Sequence, residues 1–287
     1  KSEQRSAALA RAWTEVQELV EQQLCVESPA LQLPWDTFPE GLDPAAGELD
    51  PQRAMRKRSQ VQSLAAFALE MIEPGTKAVE FGAGTGHLGL LLAHLRPDAS
   101  VVLVEARAGS STVARSRIET MGIGNCEVFH GTLDDFANTA QEFDLALGLH
   151  TCGLLADAVL ALAVKRRSSV CLVPCCYGQV ASLKVDHQRG EGTVQRMHPC
   201  SQAMQGATSS ETFAWCAKAA DFTPGKGGAF DAESMGFQTA LRCMRIIDTD
   251  RLLLAREDGY HGECSVIRLR PSRQNEADKG SEPSNEK

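Results

Sequence analysis

The residues in this chain best suited to chemistry fall into three short stretches. His150-Thr151-Cys152-Gly153 places an imidazole two residues from a thiol. Pro174-Cys175-Cys176-Tyr177-Gly178 places two adjacent thiols beside a phenol. A neutral imidazole suits a general base near pH 7, and a thiol attacks only as its thiolate. The third stretch, Ala78 to Gly89 (AVEFGAGTGHLG), is of another kind. Its glycines let backbone approach a ligand closely, and the start of the following helix offers unpaired N–H groups. For the cysteines three readings stay open: small packing residues, a nucleophile or substrate-shaping group, or metal ligands. No C-x-x-C spacing supports zinc, so no metal is expected.

These stretches need elements to hold them. Apolar runs predict strands near Lys77–Phe81, Ser100–Val104, Cys126–Phe129, Phe143–Leu149 and Ser169–Val173. Helical spacing predicts helices over His87–Leu95, Gly109–Met121 and Leu154–Val164, with Arg115, Arg117 and Glu119 facing out. Strands separated by helices imply βαβ units and a parallel sheet whose ligands sit at the strands' carboxyl ends. The glycine turn, Glu105, Gly131–Asp134, His150–Gly153 and Pro174–Tyr177 all directly follow strands. Further helices are predicted over residues 1–28, Gln52–Ile72, Ser209–Ala220 and Phe237–Ile247, with Arg251–Leu254 and Cys264–Leu269 as closing strands. The expected fold is α/β and Rossmann-like, a mostly parallel seven-stranded sheet with helices on both faces.

Gly84-Thr-Gly86-His-Leu-Gly89 satisfies the dinucleotide pattern G-x-G-x-x-G, which makes NAD one candidate ligand. Glu80, two residues before Gly82, also gives E-x-G-x-G-x-G, which resembles motif I of class I methyltransferases and their cofactor S-adenosylmethionine (SAM). A carboxylate there suits a cationic amino-acid tail and sulfonium and would repel a pyrophosphate. Glu105 can accept the ribose hydroxyls of either nucleotide. SAM is the expected cofactor, held by Glu80, Gly82, Gly84, Gly86, His87, Glu105, Ala106, Leu133, Asp134 and His150. Asp134 would accept the adenine amino group, although Asp135 is its equal by sequence and either acid suits a helix cap.

The 287 residues suffice for one sizeable core. A formal net charge of −8 rules out a global attraction for nucleic acid, so RNA contact requires a local basic patch. Arg53, Arg56, Lys57 and Arg58 form such a patch just before the first strand. The ten cysteines are scattered and one pair is adjacent, which fits reduced thiols in an intracellular, cytoplasmic setting. No apolar run has the length of a membrane helix, so no membrane partner is expected. Residues 1–51 read as a helix and a Pro-rich strap, 52–270 as the catalytic domain and 271–287 as a disordered tail. The chain starts on Lys1, which leaves room for an upstream domain.

Several of these stretches together carry a resemblance. L-P-W (33–35), L-D-P-A-x-G (42–47), R-A-M-R-K-R (53–58), E-F-G-A-G-T-G-H (80–87), H-T-C-G (150–153) and P-C-C-Y-G (174–178) resemble the methyltransferase domain of the glutathione S-transferase C-terminal domain-containing protein family. That domain is similar to tRNA ribose methyltransferases bearing CHHC zinc fingers, a finger this sequence lacks. The resemblance implies a class I methyltransferase fold, SAM as cofactor and RNA, either tRNA or rRNA, as substrate. For the transfer itself, His150 is expected to help deprotonate or orient the acceptor, Tyr177 and Cys175 to shape its pocket with Cys152 beside them, and Arg53, Arg56, Lys57 and Arg58 to hold substrate phosphates. A protein or small-molecule acceptor, or a non-catalytic SAM-binding scaffold, are the alternatives. Oligomeric state is not legible in the sequence.

Overall fold

A computed structural model describes residues 2–22, 30–46, 50–181, 198–221 and 233–260. Its centre is a sheet of five strands: β1 (Lys77–Phe81), β2 (Ser100–Glu105), β3 (Cys126–His130), β4 (Leu145–Thr151) and β5 (Ser169–Pro174). The spatial order is β3-β2-β1-β4-β5, and every pairing is parallel. Helices α3 (His87–Leu95), α4 (Ala108–Met121), α5 (Leu133–Ala137) and α6 (Leu155–Arg166) make the crossovers. The chain winds outward from β1 to β3 and then returns to place β4 on the other side of β1. That reversal opens a crevice beyond the carboxyl ends of β1 and β4, the place where such sheets bind ligands.

The seven expected strands are five among the described residues. Arg251–Leu254 is not a strand: it lies in α9 (Met235–Glu257). The buried residues of α9, Ala240, Cys243, Ile247, Arg251 and Ala255, recur every three or four positions, and that period decides for helix. Cys264–Leu269, the tail from residue 271, the Gly225–Ala229 link and most of the polar excursion after Gln179 lie outside the described residues.

Helix α1 (Ser2–Glu21) packs its Ala12, Val16 and Val20 against α8 (Ser210–Ala220) and α9 in a second apolar cluster, which Met204 of α7 (Gln202–Ala207) joins. The Arg242 guanidinium caps the Trp13 ring from 5.4 Å. Helix α2 (Pro51–Met71) starts under an Asp50 cap, whose carboxylate accepts from the Gln52 and Arg53 N–H groups, with Pro51 at the first helical position. It lays Val61, Leu64, Ala65 and Ala68 on the sheet core. The Pro-rich strap is ordered across it where described: Leu42 is fully buried, a gain of roughly 2 kcal/mol. Trp35 Nε1 donates to Gln62 at 3.1 Å. No helix among the described residues is long and apolar enough to cross a membrane.

Candidate active site at the strand ends

The glycine turn after β1 holds three alternate left-handed glycines, Gly82 (φ 66°), Gly84 (φ 58°) and Gly86 (φ 82°). A side chain at Gly86 would be strained at this φ and would also press on Leu103 Cδ1 at 2.7 Å, so both backbone and packing favour glycine there. At Gly84 the nearest atom to an added carbon is Arg107 Nη2 at 3.8 Å, so the space over the turn is open. Glu105, 4 % exposed, borders that space: its Oε2 accepts from Gly84 N at 2.7 Å and its Oε1 from Arg107 N and Nε. An open glycine cradle with a carboxylate on its rim fits an adenosine ribose and an amino-acid tail. Gly82, Gly84 and Glu105 would hold them, with Ala106 half-buried just beyond.

Glu80 takes a different place from the one expected. Its carboxyl is buried beneath the turn and its Oε2 accepts from Gly89 N at 2.8 Å, which fastens the start of α3 to the sheet. Burial, against the Gly89 hydrogen bond and with a push from Glu105, raises its pKa to about 8. The group is therefore largely neutral at pH 7, and the argument that its charge repels a pyrophosphate falls. His87 is also buried, its ring against Arg117 Nη1 at 3.0 Å. Burial first, then Arg117 and Lys57, push its pKa down to about 3, so it is neutral.

Arg117 is the main surprise of this half. Expected to face solvent with Arg115 and Glu119, it is half-buried and donates to Thr85 O at 2.9 Å, clamping the glycine turn from α4. The signal was present: Arg117 lies three residues after buried Ala114, on the face α4 turns inward.

After β3, Thr132 and Asp135 form a capping box on α5, with Asp135 N donating to Thr132 Oγ1 and Thr132 N to Asp135 Oδ2. That engages Asp135 and leaves Asp134 in the first turn, a separation no sequence argument made. Leu133 is buried among Phe81, Phe136 and Phe143, so only its backbone can meet a ligand.

At the end of β4 the ladder bulges between Leu149 and Thr151, and His150 adopts φ 64°. The bulge turns the His150 ring outward, where its Nε2 lies 3.1 Å from Gln60 Oε1 of α2. With the amide oxygen as acceptor, Nε2 would carry the hydrogen and leave Nδ1 as the basic nitrogen. Burial and the nearby Lys57 ammonium lower the His150 pKa from its ordinary value, which keeps the ring neutral at pH 7.

Cys152 turns back toward β5, and its Sγ lies 3.0 Å from Cys175 Sγ and 3.2 Å from Cys176 Sγ. The Cys175 and Cys176 sulfurs are 3.5 Å apart. Hydrogen bonding to Cys152, with burial, pushes the Cys175 thiol far up; burial, with Cys152, raises Cys176. Tyr177 is drawn away from this group: its ring is buried in the cluster with α8 and α9, and its hydroxyl donates to Asp248 Oδ2 at 2.7 Å. Tyr177 N–H donates to Asp221 as well, so the residue anchors the helical layer rather than shaping a pocket.

The basic stretch divides. Arg58 is committed to the strap: its Nε donates to Asp43 Oδ1 at 2.8 Å, its Nη2 donates to Asp43 Oδ2, and its guanidinium lies over Trp35. Lys57 is half-buried beside Arg117, His87 and His150, while Arg53 and Arg56 are exposed. Gln60, which the sequence did not single out, joins Lys57 on the part of α2 beside His150.

Residues 56–183 match a family described as a methyltransferase domain. This stretch is thus a SAM-dependent methyltransferase domain, and it contains the cradle of Gly82, Gly84 and Glu105. The chain is similar to the glutathione S-transferase C-terminal domain-containing protein of Xenopus laevis, at 29% identity over 85% of this chain and 36% of that protein. It is similar to the Drosophila melanogaster homolog at 31% identity over 78% of this chain and 35% of that protein. The chain thus spans about a third of the length of these relatives. A further similarity, 38% identity over 66 residues, covers 23% of this chain and 29% of the ribosomal RNA small subunit methyltransferase G of Mycolicibacterium vanbaalenii.

Proposed function

We propose that this domain transfers the SAM methyl group to RNA, with His150 as the base that receives the acceptor's proton. The observation that carries the RNA reading is the run of Arg53, Arg56, Lys57 and Gln60 on α2. Spacings of three, four and seven residues put them on one helix face, about 10 Å from end to end. Gln60 ends that face in contact with His150. Exposed Arg53 and Arg56 make no ion pair among the described residues, so phosphates bound there would lead a strand to the strand-end crevice. The partial similarity to a protein named for ribosomal RNA points the same way.

SAM supplies an electrophilic methyl on a sulfonium. The glycine cradle and Glu105 orient it, Arg117 holds the cradle's shape, and Gln60 keeps the His150 Nδ1 lone pair available for the proton that leaves the acceptor. The neighbouring Lys57 keeps that imidazole neutral and presents positive charge to a phosphate.

Transfer of tritium from labelled SAM to RNA pools tests the reading. Arg53→Glu with Arg56→Glu is expected to raise the KM for RNA by about tenfold with SAM affinity unchanged. Labelling of protein or small molecules while RNA stays unlabelled would overturn it.

A further inference from the structure

We infer that Cys152, Cys175 and Cys176 form a binding site for a thiophilic closed-shell cation of the Zn2+ type, with three protein sulfurs and one open position. Two strand ends that are far apart in sequence bring the three thiols together. The bulge at His150 and the left-handed Gly153 (φ 56°) turn Cys152 across to β5, where the adjacent pair begins directly after Pro174. Gly153 itself is held by hydrogen bonds at both ends: its N–H donates to Cys176 O at 3.1 Å, and its carbonyl accepts from Arg251 Nη2 at 3.1 Å. The backbone that presents Cys152 and Cys176 to one another is therefore fastened before any ion arrives.

The distances decide between the fates open to three close thiols. At 3.0, 3.2 and 3.5 Å the sulfurs form a nearly equilateral triangle. A tetrahedral zinc with Zn–S bonds of about 2.3 Å requires sulfurs about 3.8 Å apart, a spreading of less than about 1 Å that side-chain rotation supplies. A single disulfide would use two sulfurs and leave the third without a role. Adjacency explains why no C-x-x-C pattern announces the site: Cys175 and Cys176 supply two ligands without a spacer, and Cys152 arrives from another strand.

All three cysteines are half-exposed at the carboxyl ends of β4 and β5, so an ion has an entry path and the fourth position opens on the crevice. The second cluster of similar composition, His198, Cys200 and Asp250, contrasts with the three thiols. There Asp250 already accepts from the N–H groups of Cys200 and Ser201, from the Ser201 hydroxyl and from the Cys200 thiol, and pairs with His198 Nδ1. Its Asp250 carboxylate is fully engaged without an ion, and His198 Nε2 faces Asp157 Oδ1 at 3.3 Å.

Binding exchanges thiol protons for the metal: each Cys–SH that ligates releases H+ as its S–metal bond forms, with no change of oxidation state. The test is titration of the reduced full chain with Co2+, read by the sulfur-to-cobalt absorption in the near ultraviolet, followed by displacement with Zn2+. One equivalent per chain is expected, with affinity at least about tenfold weaker in Cys152→Ser and in Cys176→Ser and unchanged in Cys200→Ser. Circular dichroism confirms that each variant folds. The proposal is overturned if no thiolate band appears, or if the band survives in both Cys152→Ser and Cys176→Ser. SAM affinity, measured on the same samples by calorimetry, reports separately on the methyltransferase reading, which this site does not require.

Discussion

Two polar clusters lie on either side of Gly153, and they are built on opposite rules. Behind it, Arg251 of α9 donates to Asp157 through Nε and Nη2, to Asp248 through Nη1 and to the Gly153 carbonyl. His198 sits between Asp157 and Asp250, 3.3 and 2.9 Å from them. With Asp157 and Asp250 ionised, Arg251 and His198 balance the charge of a region almost wholly out of water. In front of Gly153, the Cys152, Cys175 and Cys176 thiols bond chiefly to one another and remain half-exposed. A buried charge must be paired in full or the fold loses several kcal/mol, whereas partly solvated thiols can stay underused. Saturation marks the cluster that holds α6, α9 and the strand-end loop together. Spare capacity marks the cluster available for chemistry.

The largest expected effect tests the saturated side. Arg251→Met takes the guanidinium away from Asp157, Asp248 and the Gly153 carbonyl and should destabilise the chain by about 3–5 kcal/mol in urea unfolding. An unchanged midpoint would break the contrast outright. Next comes Gly84→Val, where the added side chain enters the open space over the cradle. A strain of about 1–2 kcal/mol should leave the fold intact while SAM binding, followed by calorimetry, is lost. Retained SAM affinity would move the cofactor site elsewhere.

A pH series sharpens the comparison further. Burial opposes protonation of His198, but the Asp157 and Asp250 carboxylates override it and raise its pKa to about 11. A folded value above the ordinary 6.5 means stabilisation that is complete below pH 6.5 and lost as pH rises toward 11. The stability difference between the parent chain and His198→Asn should therefore shrink steadily through that window. A difference that stays flat from pH 6.5 to 9 would show the imidazole to be neutral.

The smallest effect concerns His150. Lys57 helps to hold its pKa down, so Lys57→Met should move the acidic limb of the kcat profile to higher pH without altering SAM affinity. An unmoved limb would remove His150 as the base.

Most of the positioning framework was readable in advance, because strands and crossover helices write their burial into local periodicity. β1 and α3 match their expected bounds, and β2 to β5 differ by a residue or two. The tight glycine turn was legible for the same local reason. What escaped was pairing across the chain. Arg58 looked like a phosphate ligand until Asp43 of the strap came to meet it. Tyr177 looked like part of the pocket until Asp248 of α9, 71 residues on, took its hydroxyl.

The sequence by itself determined the parallel α/β scaffold, the glycine cradle and the strand ends at which function had to lie. Each of these follows from the period and type of neighbouring residues. Only the tertiary structure decided which charges are spent and which are available. It buried Glu80 and neutralised it, turned Arg117 inward, engaged Asp135 rather than Asp134, and gathered three thiols from two strands. Those outcomes depend on desolvation and on partners distant in the chain, and neither is a property of any local stretch.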